Sequence, residues 1–131
     1  MKNVLITGAT GGIGSALVSI FHKNGYNIFA TGTNTEKLKS LKEKYNERLG
    51  CLKSDLLDKS QIERIVKTAN EHFGTIHILI NNAGITKDNL TLRMKDSDWN
   101  DVINLNLNST FYLTKLFLKY MIKNRYGRII N

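Results

Sequence analysis

Two rhythms alternate along this chain. Short continuous apolar runs at Val4–Ile6, Ile28–Thr31 and Ile76–Ile80 read as strands buried on both faces. Another short strand begins at Cys51-Leu52 and runs to Ser54-Asp55. Between them apolar residues recur at helical spacing. Ile13, Leu17, Val18, Ile20 and Phe21 predict a helix straight after the first run, closed by the turn Lys23-Asn24-Gly25. Glu36–Tyr45 predicts a second helix with Leu38, Leu41 and Tyr45 inward and lysines outward. Ile62, Ile65, Val66, Ala69 and Phe73 predict a third, capped by Asp58 or Ser60 and ended by Gly74. After the loop Asn81-Asn82-Ala83-Gly84, one long helix is expected from about Ser97 to Lys123. Gly127 stops it, and Arg128-Ile129-Ile130-Asn131 opens a fifth strand.

Regular strand–helix alternation predicts an α/β fold: parallel strands, right-handed crossovers and helices on both faces of the sheet. Ligands of such sheets sit beyond the carboxyl ends of the strands. Four segments fall there: the glycine loop after the first strand, Gly32-Thr33-Asn34, Ser54-Asp55-Leu56 and Asn81–Gly84. They are expected to line one crevice.

The glycine loop carries the clearest chemistry. Thr7-Gly8-Ala9-Thr10-Gly11-Gly12-Ile13-Gly14 joins a strand directly to a helix. Its spacing is G-x-x-x-G-x-G, not the dinucleotide fingerprint G-x-G-x-x-G. Glycines let the backbone turn tightly and approach a ligand, and the helix that follows aims free N–H groups at the turn. That arrangement suits a phosphate or pyrophosphate.

Composition narrows the picture. A chain of 131 residues without proline favours one domain and no linker. No apolar run is long enough to span a membrane, and the first residues lack the parts of a secretory signal. One cysteine, Cys51, forms no internal disulfide and reads as a small strand residue, which fits a cytoplasmic protein. The formal charge of +8 comes mostly from lysines spread along the chain. No basic run with interleaved aromatics points to nucleic acid. His22, His72 and His77 lack metal-ligand spacing and read as structural or exposed, and Trp99 reads as a packing residue.

Thr7–Gly14 resembles the T-G-x-x-x-G-x-G cofactor loop of the short-chain dehydrogenase/reductases, and Asn81-Asn82-Ala83-Gly84 is similar to that family's N-N-A-G loop. Asn82–Leu90, Arg93-Met94-Lys95, Trp99 and Arg125–Ile130 look like one branch, the 3-oxoacyl-[acyl-carrier-protein] reductases of fatty-acid biosynthesis. The resemblance runs from the first residues to the last. It implies a Rossmann-type doubly wound sheet, three layers α/β/α, with residues 1–131 an incomplete NAD(P)-binding domain that stops early in strand five. It implies that Gly8, Gly12 and Gly14 form the phosphate turn, with Ala9, Thr10, Gly11 and Ile13 packed around the cofactor. Asp55 meets the adenine amino group, Leu56 packs on the ring, and Asn82, Ala83 and Gly84 pass under the ribose. Asn106 matches the catalytic asparagine that holds a water in relatives, although a solvent-facing helical asparagine is the competing reading.

No acid stands at Gly32 or Thr33, which points away from NAD. The arginines that NADP-preferring relatives place where Gly11 or Thr33 stands are also missing. Thr33 and Asn34, with Lys37, are the remaining candidates for a 2′-phosphate, so NADP is expected and NAD is the alternative. The resemblance further implies a homotetramer and docking of the acidic carrier near Arg125. The resemblance places the family's serine and Tyr-x-x-x-Lys beyond the fifth strand; no Tyr-x-x-x-Lys occurs here, and the sequence stops at Asn131, a few residues short of the expected serine. The piece is therefore expected to be inactive alone, as a fragment or a truncated product. Another carbonyl substrate, or a dinucleotide module without catalysis, are the alternative functions.

Overall fold

The computed structural model describes all 131 residues. Five parallel strands form one sheet: β1 (Asn3–Ile6), β2 (Asn27–Gly32), β3 (Leu49–Lys53), β4 (Ile78–Ile80) and β5 (Arg128–Ile130). Their order is β3-β2-β1-β4-β5. Helices α1 (Gly12–Lys23), α2 (Thr35–Lys44), α3 (Lys59–Phe73), α4 (Asp96–Ile103) and α5 (Ser109–Lys123) complete the chain.

The layers follow from strand geometry. Successive strand residues point to opposite faces, so β1 serves two cores at once. Leu5, with Phe29 and Leu79 beside it in register, faces Ile62, Ile65 and Ala69 of α3 and Leu113, Phe117 and Met121 of α5. Val4 and Ile6, with Ile28, Ala30, Ile78 and Ile80, face Val18 and Leu17 of α1 and Leu41 of α2. All of β1 is buried, which explains its unbroken apolar run. Each large side chain so buried contributes about 1.5–3 kcal/mol before the entropy of ordering is subtracted.

Three expectations need correction. The third strand begins at Leu49, two residues before Cys51. Arg48, at φ 61°, turns the chain there and anchors it by donating to the carbonyls of His22 and Tyr26, both at 3.1 Å. The long helix is not uniform: between α4 and α5 the helical backbone widens into a π turn over Asn104–Asn108. Trp99 is 59% exposed and is not packed within the chain. Asp58 caps α3, its carboxylate accepting from Ser60 N at 2.9 Å, and Gly74 ends that helix at φ 76°.

The opposite end of the sheet, at the strand N-termini, is closed by polar contacts. Asn3 is buried, and its amide donates to Phe73 O at 2.9 Å and Thr75 O at 2.8 Å. Its backbone N–H donates to His77 Nδ1 at 3.0 Å, which requires an unprotonated nitrogen. Burial holds the His77 pKa below the ordinary 6.5, and the charges of Lys2 and the N-terminus add to this. The unfolded chain therefore takes up a proton that the folded chain resists. Stability is full above about pH 6.5 and falls as pH drops through the native value. His77→Asn keeps an acceptor but cannot titrate, so it is expected to flatten that acid limb, as read by thermal melts on either side of pH 6.5.

Candidate functional site

Strand order reverses between β1 and β4, where the chain leaves the centre of the sheet in both directions. A crevice beyond the carboxyl ends of the strands forms at such a switch point. Here the loops after both strands touch. Thr7 Oγ1 accepts the N–H of Ala83 at 2.9 Å, and the Asn82 amide donates to Thr7 O at 3.1 Å and Gly8 O at 3.2 Å. Gly8 sits at φ 61°, and a Cβ on it would stand 2.8 Å from Ala83 Cα. The pair Asn81-Asn82 is thus more than a turn: Asn82 ties one loop to the other.

The glycines have different physical reasons. A Cβ on Gly14 would stand 2.0 Å from Gly8 O and 2.8 Å from Ala9 Cα, so α1 reaches the loop only because that atom is missing. A Cβ on Gly12 would meet nothing within 4 Å. The protein itself has no need of glycine there. What lies in front of Gly12 is the open mouth of the crevice. The N–H groups of Gly12, Ile13 and Gly14 are bonded to no acceptor in the preceding loop, and the first turn of α1 carries no acid. Free donors, a positive helix end and a space that a side chain would fill together fit a pyrophosphate.

The crevice encloses about 530 Å³. Gly8, Thr10, Gly11, Gly12, Ile13, Gly14, Thr33, Leu56, Asn82, Ala83 and Gly84 all line it. Ala9 does not: it is fully buried in the core shared with α1 and α2, and its N–H donates to Thr31 O at 2.9 Å. Its expected packing on the cofactor is corrected to a place behind the loop. Asp55 stands outside the main crevice, in an adjoining hollow of about 660 Å³ shared with Thr33 and Ser54. One of its carboxylate oxygens accepts from Leu57 N at 2.9 Å. Ser54 lies between the two spaces, buried, with no partner for its hydroxyl. Ile85 and Leu105 also line the crevice. Nothing in the sequence separated these two apolar residues from core positions.

Asn106 lies in the π turn, and its amide holds both backbone groups of Ile85, accepting from N at 2.9 Å and donating to O at 2.8 Å. Asn106 is exposed, yet its amide is committed to this loop and is not merely solvated. Thr110 Oγ1 donates to the Asn106 carbonyl at 3.0 Å, the kind of back-bond that loosens a helix, and π turns recur at functional sites. Lys87 braces the same loop against α4 through Asp101 at 2.7 Å and Asp98 at 3.3 Å, and those hydrogen bonds raise its pKa. Asn34 uses its amide oxygen to cap α2, accepting from Lys37 N at 3.0 Å. Arg125 is exposed in the turn before β5, at the N-terminal ends of the strands, and so lies at the far end of the sheet from the crevice.

Sheet order, crevice and loop pair define a doubly wound α/β protein with a crevice at its switch point. Residues 2–131 match the short chain dehydrogenase family, and the chain belongs to it. The members are oxidoreductases that use a nicotinamide dinucleotide. Among curated relatives, the 3-oxoacyl-[acyl-carrier-protein] reductase FabG of Vibrio harveyi is 42% identical over 130 residues, which is 99% of this chain and 53% of that protein. Its counterpart in Rickettsia conorii is 43% identical, over 99% of this chain and 52% of the relative. Among solved structures, a closed form of serine dehydrogenase complexed with NADP+ superposes with a TM-score of 0.93 at 31% identity, covering 98% of this chain and 52% of that one. The chain thus spans about half the length of the curated relatives it matches. None of its helices is long and apolar enough to cross a membrane.

Proposed function

We propose that the protein is an NADPH-dependent reductase of 3-oxoacyl thioesters carried on acyl carrier protein, acting in the cytoplasm, in which these 131 residues supply the dinucleotide site. One observation carries the reading: the Thr7–Gly14 loop meets Asn82-Ala83-Gly84 across the switch point, in a chain 42% identical to the Vibrio harveyi reductase. When bound, the nicotinamide supplies the hydride. The N–H groups of Gly12, Ile13 and Gly14 hold the pyrophosphate, with Thr10 and Gly11 beside it. Leu56 packs on the adenine, Asp55 meets its amino group from the rim, and Asn82, Ala83 and Gly84 floor the ribose. Thr33 stands where the ribose edge leaves the sheet. Asn106 positions Ile85 and with it the loop roof, and the water-holding role implied by the resemblance belongs to this same residue.

The test, on the complete enzyme that contains these residues, is NADPH oxidation with a 3-oxoacyl thioester presented on acyl carrier protein or with other carbonyl compounds, and NADP+ reduction with serine and other hydroxyl compounds. Turnover of the carrier-bound thioester is expected of that complete enzyme, and none is expected of the 131 residues alone. Turnover of serine or another substrate alone places the protein elsewhere in the family. Firm NADPH binding without turnover of any substrate makes it a dinucleotide module.

Two partner predictions follow from surfaces. α5 buries Leu113, Phe117 and Met121 against the sheet but leaves Phe111, Leu118 and Ile122 exposed on its other sides. A homotetramer covering this face accounts for its apolar character, and the 131-residue chain is expected to self-associate with rising concentration. A monodisperse monomer in sedimentation velocity, with a cooperative melt, would overturn that. For the carrier, Arg125→Glu in the active enzyme is expected to raise KM for the carrier-bound substrate, more at low salt, and to spare a small thioester analogue. Because Arg125 is remote from its own crevice, a carrier held there serves the crevice of another copy. Equal losses with both substrates point instead to a folding defect.

A further inference from the structure

The loop after β4 and the α4 helix with its π turn are joined by two rungs. The inner rung is neutral: Asn106 holds Ile85, accepting from its N–H at 2.9 Å and donating to its carbonyl at 2.8 Å. A Cβ on Gly84 would stand 3.3 Å from Asn106 Oδ1, so the amide comes close to the loop backbone. The outer rung is ionic: Lys87 Nζ meets Asp101 Oδ2 at 2.7 Å and Asp98 Oδ1 at 3.3 Å. The side chains of Lys87, Asp98 and Asp101 are 36%, 33% and 38% exposed, so salt screens them less than a free surface pair. No other polar contact ties down the stretch that follows. Every other hydrogen bond made by residues 86–94 is among themselves, such as Met94 N to Leu90 O at 3.0 Å, and none of their side chains is buried.

The inner rung depends on the outer one. Two hydrogen bonds to one residue's backbone tolerate little displacement, because their ordinary range ends at about 3.2 Å. Asp98 stands in the first turn of α4, where the helix dipole favours a carboxylate, and Asp101 follows one turn later. Without the lysine these two carboxylates are left as like charges at i,i+3, which repel. Resting on the reading of the crevice as a dinucleotide site, we propose that Lys87 is a positioning residue for that site. By pairing with Asp98 and Asp101 it holds the loop at the distance where the Asn106 amide keeps both bonds to Ile85. Ile85 and Leu105, on either side of the inner rung, line the crevice, so a shift between loop and helix opens its wall. Lys87 itself forms no part of that lining and acts only through Asn106 and Ile85.

The experiment uses the complete enzyme that contains these residues. Hydrogen exchange is read at the Ile85 amide without nucleotide, and NADPH affinity by fluorescence titration. K87M is expected to speed exchange at Ile85 about threefold to fivefold, the scale of a partly exposed ion pair, and to weaken NADPH by a similar factor. The Ala83 amide, held by Thr7 Oγ1, is the internal reference and is expected to keep its rate. K87R retains the charge and is expected to bring both readings to within a factor of about two of wild type. D101N leaves the Asp98 contact and is expected to fall between K87M and wild type. Lys95→Met, close by in the chain but in no ion pair, is the control and is expected to change neither reading. In an N106A background K87M is expected to cost no further affinity, because the lysine acts through that amide. Thermal melts of the variants are expected to stay with wild type. Unchanged exchange at Ile85 in K87M and D101N, a loss that K87R does not restore, or losses that add in K87M/N106A overturn the proposal and leave the cofactor reading standing. Faster exchange with unchanged NADPH affinity makes the outer rung a brace of the loop alone and overturns it too. Failure of wild type to bind NADPH overturns the cofactor reading itself, and this inference with it.

Discussion

Gly12→Val is expected to abolish dinucleotide binding while leaving the fold intact. Gly12 opens α1, its φ is ordinary, and no protein atom lies within 4 Å of the position a Cβ would take. The added side chain therefore strains nothing in the free protein. Valine is also a slightly better helix residue than glycine, so stability should stay within about 0.5 kcal/mol of wild type. The methyl groups instead enter the mouth of the crevice, in front of the N–H groups of Ile13 and Gly14. A pyrophosphate drawn to those donors loses its closest approach, and affinity for NADPH is expected to fall at least about 100-fold, or ~2.7 kcal/mol. Fluorescence titration reads the affinity and thermal melting reads the fold. Equal affinities for variant and wild type would remove this loop from the site.

Gly14→Ala, two residues on, is expected to do the reverse: to damage the fold before any ligand is added. Its Cβ would lie 2.0 Å from Gly8 O and 2.8 Å from Ala9 Cα. Both are backbone atoms, so no rotamer relieves the clash. Either α1 lifts from the loop, disturbing the Ser15 N–Gly11 O bond, or Ala9 is pushed out of the core it shares with Val18. Overpacking against a fixed backbone costs about 3 kcal/mol, and for a domain of this size that lowers the melting temperature on the order of 10 °C. A variant melting with wild type would contradict the close seating of α1 on the glycine loop. The pair of substitutions separates two properties that one motif combines, a ligand space at Gly12 and a packing contact at Gly14.

Much of the fold was legible because it is written in local periodicity. The runs Val4–Ile6 and Ile76–Ile80 announced buried strands, and the spacing of Ile62, Ile65, Val66 and Ala69 announced α3. Their apolar residues are buried where the pattern put them, although β4 begins only at Ile78 and His77 is half-buried. Boundaries moved where a distant group decided them. β3 starts at Leu49 because Arg48 is turned and anchored by carbonyls of residues 22 and 26. The π turn at Asn104–Asn108 left no trace in the apolar spacing, since its residues keep helical backbone angles on either side and differ only in how the ladder closes.

The candidate site divides in the same way. The sequence alone determined that a glycine loop follows one strand and an asparagine–alanine–glycine loop another, and that a resemblance joins them in one cofactor site. Both are patterns of neighbouring residues. Only the tertiary structure decided which glycine serves the ligand, since Gly12 and Gly14 are alike in sequence and differ only in whether Gly8 and Ala9 approach them. It moved Ala9 into the core and set Asp55 at the rim, while committing Asn34 to a helix cap. It also gave Asn106, which the resemblance had picked among four asparagines, a partner by pairing its amide with Ile85, 21 residues away. Those contacts depend on which strands lie side by side. Strand order is set by long-range packing of apolar faces, and no window along the chain contains it.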